Sequence, residues 1–305
     1  MTTFPTRERV LEVIETHAPD VLKAVLRDNL SPAIALILQK TDDENIAVGQ
    51  SKIGGAPDVP SDFAWPTVEI SRWQFFKRVR EEKPLGFLGQ FNLAEVAPFD
   101  LNHELPSSGT LSFFYAIADQ PWSSPANDSY WRVFYWPENG KLERRIHDKV
   151  DTQNSLPSHA AIFATKWMCP DNESWQTDNI DLDDNAFEQW NETFLSEIDA
   201  LFAEDLGHHL LGYGERVQGD ISTSAYMTTT GDSARRGETY QSFNDRTRSE
   251  VSKWRLLFQL NSQDSPDKRG SEWMWGDVGM LYFCIREDDL KVRKFDNVYL
   301  EFQCH

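Results

Sequence analysis

The chain has 305 residues and a formal net charge of −19, with 40% hydrophobic and 26% charged residues. A chain so acidic repels nucleic acids and anionic membrane surfaces, which excludes both as expected partners. Aromatic residues make up 12% of the chain and favour strands, so the composition predicts a single domain with a mainly β core.

The cysteines and the N-terminus indicate the compartment. Cys169, Cys284 and Cys304 are an odd, widely spaced set, which suits free thiols in a reducing cytoplasm and does not fit a structural zinc site. The first residues carry no apolar segment after a basic start, and no stretch approaches the roughly 20 apolar residues that span a bilayer. We therefore expect a cytoplasmic protein that binds no metal and no cofactor.

The N-terminal segment 1–45 is expected to form helix and then strand. Apolar residues recur at helical spacing over TRERVLEVIETHAPDVLKAVLRDNL, and Pro19 should divide this stretch into two helices or kink it. AIALILQK at 33–40 is typical of a buried strand. The stretch 51–66 is rich in Gly and Pro but also holds apolar anchors, so it is predicted to be a shaped loop rather than a linker.

Apolar and aromatic runs predict the remaining strands, and polar composition predicts a loop at 262–272. The predicted strands cover 85–93, 109–117, 130–136, 159–167, 254–262, 279–285 and 297–305.

Two of these strand blocks occur twice in the same order. LGQFN at 88–92 matches LFQLN at 257–261, and GTLSF at 109–113 matches GMLYF at 279–283. Collinear blocks of this kind predict a duplicated unit, with a first β-rich repeat over 46–167 and a second over 207–305. An acidic helical insert at 168–206 lies between them.

Gln90 and Gln259 interrupt apolar strands at equivalent positions of the two predicted repeats. A buried amide must find hydrogen-bond partners, so each is either a structural hub or a ligand contact. Because the same need occurs twice, we favour the hub, with both side chains buried and bonded to backbone groups.

The acidic insert contains no Lys or Arg between Lys166 and Arg216. A helix is predicted there with Asp184 or Asn185 as its cap and with Phe187, Trp190, Phe194 and Ile198 facing inward. The acids on its other face either serve solubility alone or form a docking surface for a basic partner. The candidate docking residues are Asp181, Asp183, Asp184, Glu188 and Glu192.

A groove between the repeats is the other candidate site. Asp220, Asp277 and Glu301 would support acid–base hydrolysis if the fold paired two of them, or they simply cap turns. Trp275-Gly276-Asp277 is interpreted as the turn that begins a strand. The adjacent His208 and His209 make a poor chelating pair. The candidate groove residues are Trp65, Gln90, Asp220, Gln259, Trp275 and Asp277.

Several motifs together resemble the YwqG-like family of uncharacterised bacterial proteins. They are SKIGGAPDVP, LGFLGQFNL, LPSSGTLSFFY, HHLLGYGERVQGDI, LLFQLNS, WGDVGMLYFCI and FDNVYLEFQCH, over residues 50 to 305. Gly214 stands where the family usually has Pro. The resemblance implies an α+β, mainly β fold, a duplicated β-roll or pseudo-barrel with peripheral helices. The family has no established activity, and some relatives look like immunity partners of secreted toxins.

Two functions therefore remain as expectations. The first is a non-enzymatic, cytoplasmic protein-binding protein whose acidic surface holds a basic protein such as a toxin domain, in the manner of an immunity or inhibitor protein. The alternative is a small-ligand binder or hydrolase that uses the groove with Asp220 and Asp277. The sequence names no catalytic residue and predicts no oligomeric state.

Overall fold

The computed structural model describes residues 4–74, 77–122, 124, 129–137, 141–265 and 269–305. Helix α1 spans Arg7–His17 and helix α2 spans Asp20–Asp28. The Thr6 hydroxyl caps α1 by accepting a hydrogen bond from the Arg9 N–H at 3.4 Å. Pro19 precedes α2 and has no N–H to continue α1, which confirms the predicted break.

The other elements include the predicted strands in the predicted order. The helices are α3 (Leu93–Val96), α4 (Asp184–Glu188), α5 (Leu195–Leu201), α6 (Ile221–Thr230), α7 (Tyr240–Val251) and α8 (Glu287–Lys291). The strands are β1 (Ser31–Lys40), β2 (Lys52–Ile53), β3 (Asp58–Pro60), β4 (Thr67–Gln74), β5 (Lys77–Pro84), β6 (Gly86–Asn92), β7 (Thr110–Tyr115), β8 (Trp131–Trp136), β9 (Leu142–Arg144), β10 (His159–Met168), β11 (His209–Leu210), β12 (Trp254–Asn261), β13 (Gln263–Asp264), β14 (Ser271–Trp273), β15 (Met280–Arg286) and β16 (Tyr299–Gln303). Elements that the sequence patterns did not predict include α6, α7, α8 and the β4–β5 hairpin.

Ten strands form one antiparallel sheet in the order β16-β15-β12-β11-β1-β10-β2-β6-β7-β8. The two edge strands of the sheet, β8 and β16, approach each other. The Trp131 indole N–H on β8 donates to the carbonyl of Val298, just before β16, at 2.8 Å. The Trp131 and Tyr299 rings meet edge to face, with centroids 6.0 Å apart. The sheet is therefore barrel-like and nearly closed, and the predicted mainly β character is confirmed.

The interior of this sheet is filled by buried aromatic rings. The Phe91 and Phe258 centroids lie 4.9 Å apart, as do those of Phe113 and Phe258, and Phe283 lies 5.0 Å from Phe113. Each such pair contributes about 0.5–1.5 kcal/mol beyond the burial of its area. Because these rings fill the interior, a ligand or partner would bind at the outer faces of the sheet or among the helices.

The sheet has the same strand pairing on both sides of the central β1–β10 pair. One side runs β2-β6-β7-β8 and the other runs β11-β12-β15-β16. The β6–β7 register shifts between Phe87 and Gly89, and the β12–β15 register shifts between Leu256 and Phe258. Each shift is a bulge that lies just before the glutamine singled out in the sequence.

Helices α1, α2 and α5 and the turn before α5 enclose a second core against the sheet, which includes Trp190 and Phe194. Between α4 and α5, residues Gln189–Phe194 form a π turn in which the Leu195 N–H donates to the Trp190 carbonyl. This core buries Val10, Val13, Ile14, Ala18, Leu22, Leu26, Trp190 and Phe194.

Two details of the predicted helix were wrong. Phe187 is 53% exposed rather than inward, because the wide turn after it shifts the helical phase, whereas Trp190 and Phe194 are buried. The cap is Asp183, whose Oδ1 accepts from the Ala186 N–H at 2.8 Å, and not Asp184 or Asn185. Ile198 is half-buried.

The predicted loop at 262–272 contains part of a short ladder, in which β13 pairs with β14. Residues 266–268 of that prediction lie outside the described residues. None of the helices in the described ranges is long and apolar enough to cross a membrane.

Candidate functional site

Gln90 ties the loop before β3 to the sheet. Its Oε1 accepts from the Asp58 N–H at 2.8 Å, and its Nε2 donates to the Gln50 carbonyl and to Asp58 Oδ2, both at 2.8 Å. Asp58 is fully buried and pairs with the Arg144 guanidinium at 2.9 Å. Burial raises the pKa of Asp58, but the hydrogen bond from Arg144 and its other partners outweigh it, so the net shift is downward.

Gln259 makes the corresponding bonds on the other side of the sheet. Its Oε1 accepts from the Glu215 N–H at 2.9 Å, and its Nε2 donates to the Gly207 carbonyl at 2.7 Å. Both glutamines are fully buried. The prediction that they are buried and bonded to backbone groups is therefore confirmed, and they act as hydrogen-bond hubs.

Replacing Gln259 by leucine should lower the free energy of unfolding by about 1–3 kcal/mol, because the Glu215 N–H and the Gly207 carbonyl would stay buried without their partner. Urea titration followed by circular dichroism measures this loss. Gln153→Leu is the matched control, since Gln153 is exposed and its replacement should change stability by less than about 0.5 kcal/mol. Equal stability of the Gln259→Leu variant and the parent would contradict the role of a hub.

The Trp275-Gly276-Asp277 stretch forms a tight turn before β15. Gly276 has a φ of +55°, and the Gly279 N–H donates to the Trp275 carbonyl at 2.7 Å. Asp277 is exposed, and its carbonyl accepts from the His305 N–H at 3.0 Å. Asp277 is therefore a residue of the turn. Trp275 is fully buried, and its indole N–H has no partner among the described residues.

Asp220 caps helix α6. Its Oδ2 accepts from the Thr223 N–H and hydroxyl, both at 2.9 Å, and burial raises the pKa of its carboxyl. It also lines a polar cavity of about 410 Å³. The other polar and aromatic lining residues include Trp175, Tyr213, Arg216, Trp254 and Arg255.

The six predicted groove residues occupy separate environments. Trp65 packs beside Phe63 and donates its indole N–H to the Leu85 carbonyl at 2.9 Å. Trp275 lines a different cavity from the one that Asp220 lines. Gln90 and Gln259 are engaged in their two networks. Glu301, the third predicted carboxylate, accepts from the Tyr299 hydroxyl at 2.7 Å.

The five predicted docking acids are all exposed. Asp181 and Asp183 precede α4, Asp184 and Glu188 belong to it, and Glu192 lies in the π turn after it. No ion pair among the described residues includes any of them, and Asp183 doubles as the helix cap. The exposed Phe187 follows Asp184 by three residues and so lies on the same side of the helix. We call Phe187 together with Asp181, Asp183, Asp184, Glu188 and Glu192 the acidic face.

A buried ionic cluster escaped the sequence analysis. The Lys166 ammonium lies 2.5 Å from Asp205 Oδ2 and also contacts Glu215. Burial lowers the pKa of Lys166, but Glu215 and Asp205 outweigh it, so the net shift is upward. The single Lys within β10, whose residues are mostly apolar, was the signal that could have indicated a buried partner.

The two adjacent histidines, His208 and His209, lie near the same ionic cluster. His208 Nε2 lies 2.9 Å from Gln263 Oε1, and burial lowers the pKa of His208 to about 4. His209 Nε2 lies 2.9 Å from the Tyr213 carbonyl. Within the described ranges, no group of three or more His, Cys, Asp or Glu side chains could hold a metal ion.

These features define a mainly β protein with a barrel-like antiparallel sheet, a covering layer of helices and an exposed acidic face. A family model described as a domain of unknown function, DUF1963, matches residues 51–304. The chain belongs to this family. A search of curated proteins found no match to the chain.

Proposed function

We propose that this protein is a non-enzymatic binding protein that holds a basic protein partner on its acidic face. The observation that carries the proposal is the combination of five exposed acids without an ion-pair partner in the described residues and an exposed Phe187 beside them. Phe187 is 53% exposed, although a phenylalanine normally buries most of its ring.

The two components of the acidic face would act differently on a partner. Unpaired carboxylates on one surface attract a basic partner over a distance and so raise the association rate. An exposed aromatic ring that becomes buried on docking would hold the complex, since interface energy is concentrated in a few buried anchors. A partner that fits this face carries Lys or Arg residues around an apolar pocket.

The partner class that we favour is a basic toxin domain, which would make the protein an immunity or inhibitor protein of the cytoplasm. The resemblance to YwqG-like proteins supports this choice, because some of those relatives look like immunity partners. The free state of Cys169, Cys284 and Cys304 supports a reducing compartment.

We also infer that the chain is a duplicated β-rich unit. Three parallels support this inference: the strand order on each side of β1–β10, the bulge just before each glutamine, and the hydrogen bonds of the glutamines. Asn92 and Asn261 add a fourth, because their Nδ2 groups donate to the Gly49 and Leu206 carbonyls, each at 3.0 Å. An experimental structure in which 85–117 and 254–285 had different topologies would contradict the duplication.

Changing Asp181, Asp183 and Asp184 together to Asn should strongly reduce capture of a basic partner by the tagged protein. The substitutions remove three charges, whereas an asparagine side chain in place of Asp183 can still cap the helix, so the melting temperature should change little. The tagged protein is used at low salt to pull down partners from a lysate of the cells that naturally produce it. Mass spectrometry identifies the captured protein, and the sequence of that protein gives its net charge.

The matched control removes three charges elsewhere, with Asp42→Asn, Glu44→Gln and Asp62→Asn at exposed positions. This control should capture the partner as the parent does. If the acidic-face variant retains every partner at low salt, or if both variants lose it equally, the acidic face serves solubility alone.

A further inference from the structure

A cavity of about 640 Å³ lies between the sheet and the helical layer. This volume is within the range of about 300–1,000 Å³ that is typical of small-molecule sites. Part of its wall is apolar, with Val10 from α1 and Trp167, Met168 and Cys169 from the end of β10 and the residue after it. Helical residues complete the walls: Trp190, Phe194, Leu195, Ile198 and Phe202.

The π turn shapes this cavity. Trp190 and Phe194 both belong to the turn and both line the cavity, with ring centroids 4.8 Å apart. π turns inside helices occur frequently at functional sites. Trp190 and Phe194 are four residues apart, so their rings lie side by side on one face of the segment, at the cavity wall.

Charged groups among the lining residues give the cavity a net negative character. Six charged residues line it, four carboxylates and two cations: Asp171, Asp199, Asp205, Glu215, Lys166 and Arg216. Both cations are already neutralised, Lys166 by Asp205 and Glu215, and Arg216 by Asp171 and Glu173.

Asp199 is the carboxylate of this group that remains for a ligand. It is exposed, and no ion pair among the described residues includes it. A negatively charged ligand would meet cations that already have two acids each, and it would add a further negative charge to a site that carries an excess of them. A cation instead gains attraction from Asp199 and from the other acids.

We propose that this cavity binds a protonated amine attached to an apolar body, such as an alkylamine. The ammonium lies toward Asp199, and the hydrocarbon packs against Trp190, Phe194 and Leu195. The site is separate from the acidic face and does not depend on capture of a protein partner, so each proposal can fail without the other.

Titration calorimetry with octylamine, octanoate and octanol tests the ligand class on the intact protein. Octylamine should bind saturably at one site per chain, and it should also change the tryptophan fluorescence because Trp190 lines the cavity. Octanoate and octanol should bind at least tenfold more weakly. Equal binding of the three compounds, or no binding of octylamine, would overturn the proposal.

Two variants locate the site. Leu195→Trp fills the cavity and should abolish octylamine binding, while Asp199→Asn should weaken it about two- to fivefold, as expected for loss of an exposed charge contact. Asp288→Asn, an exposed acid on α8, is the control and should bind as the parent does. If a folded Leu195→Trp protein binds octylamine normally, or if Asp199→Asn and Asp288→Asn behave alike, the amine does not occupy this cavity.

Discussion

Replacing Trp190 by alanine is expected to lower the free energy of unfolding by about 3–5 kcal/mol. Trp190 is only 2% exposed and joins the core between the N-terminal helices and the acidic segment. Its loss removes a large apolar area and leaves a void beside Phe194 that the neighbouring helices can fill only in part. Thermal and urea unfolding, followed by circular dichroism, measures the change.

Phe187→Ala is the matched control for this prediction. Phe187 lies three residues earlier on the same helical segment but is 53% exposed, so its removal should change stability by less than about 0.5 kcal/mol. If Phe187→Ala costs as much as Trp190→Ala, then Phe187 packs inward in solution. The acidic face would then have no aromatic anchor.

Replacing Lys166 by methionine should cost about 3–5 kcal/mol, because the change keeps most of the side-chain volume but leaves the buried Asp205 carboxylate and the partly exposed Glu215 carboxylate without their cation. The side chains of Lys166 and Asp205 are each 5% exposed. The Lys253–Glu250 pair, with side chains 40% and 42% exposed, provides the control. Lys253→Met should have a much smaller effect, since water already solvates both groups.

The cost of Lys166→Met should shrink as the pH falls. In the parent, burial raises the pKa of Glu215, but Lys166 and the nearby histidines outweigh it, so the net pKa is lowered. A carboxyl whose pKa is lowered by folding stabilises the folded state at pH values above its ordinary pKa, near 4.5. This stabilisation is lost as the pH falls through the pKa of the folded state. Without Lys166, burial dominates and Glu215 takes up a proton on folding. Unfolding at pH 4 and pH 7 should show the variant approaching the parent at pH 4, and a constant difference would contradict the burial of an uncompensated charge.

The two-residue strands β2 and β11 could not be predicted from the sequence, but the other eight strands of the main sheet could, because they carry strong apolar and aromatic patterns. β6 and β12 are examples, and the repeated Gln in each indicated the buried hubs before any geometry was known. The β4–β5 hairpin could not be predicted in this way, since β5 reads KRVREEKP and offers no apolar face. Instead, the backbone of β5 pairs with β4 along the whole length of the hairpin.

Helix α6 could not be predicted for a related reason. α6 reads ISTSAYMTTT, whose small and β-branched residues have weak helix propensity. The ends define it: Asp220 caps the start, and the Gly231 N–H donates to the Met227 carbonyl at the close. A start signal without an apolar stripe was not enough to predict the helix.

The candidate sites depend on contacts that sequence spacing does not reveal. Lys166 on β10 meets Asp205 and Glu215 because β1 pairs with both β10 and β11, and the segments before and after β11 reach across to Lys166. The orientation of Phe187 depends on a π turn, which shifts the phase of an otherwise regular apolar stripe. The acids could be identified from composition, whereas the aromatic ring beside them required the structure.

The association rate of the captured partner, measured by stopped flow over a range of salt concentrations, tests the acidic face most directly. The rate should fall steeply with salt, because the Debye length shrinks to about 3 Å at 1 M. The Asp181/Asp183/Asp184→Asn variant should associate more slowly than the parent at low salt and match it at 1 M. Identical rates for the variant and the parent at low salt would contradict the proposal that this protein holds a basic partner on its acidic face.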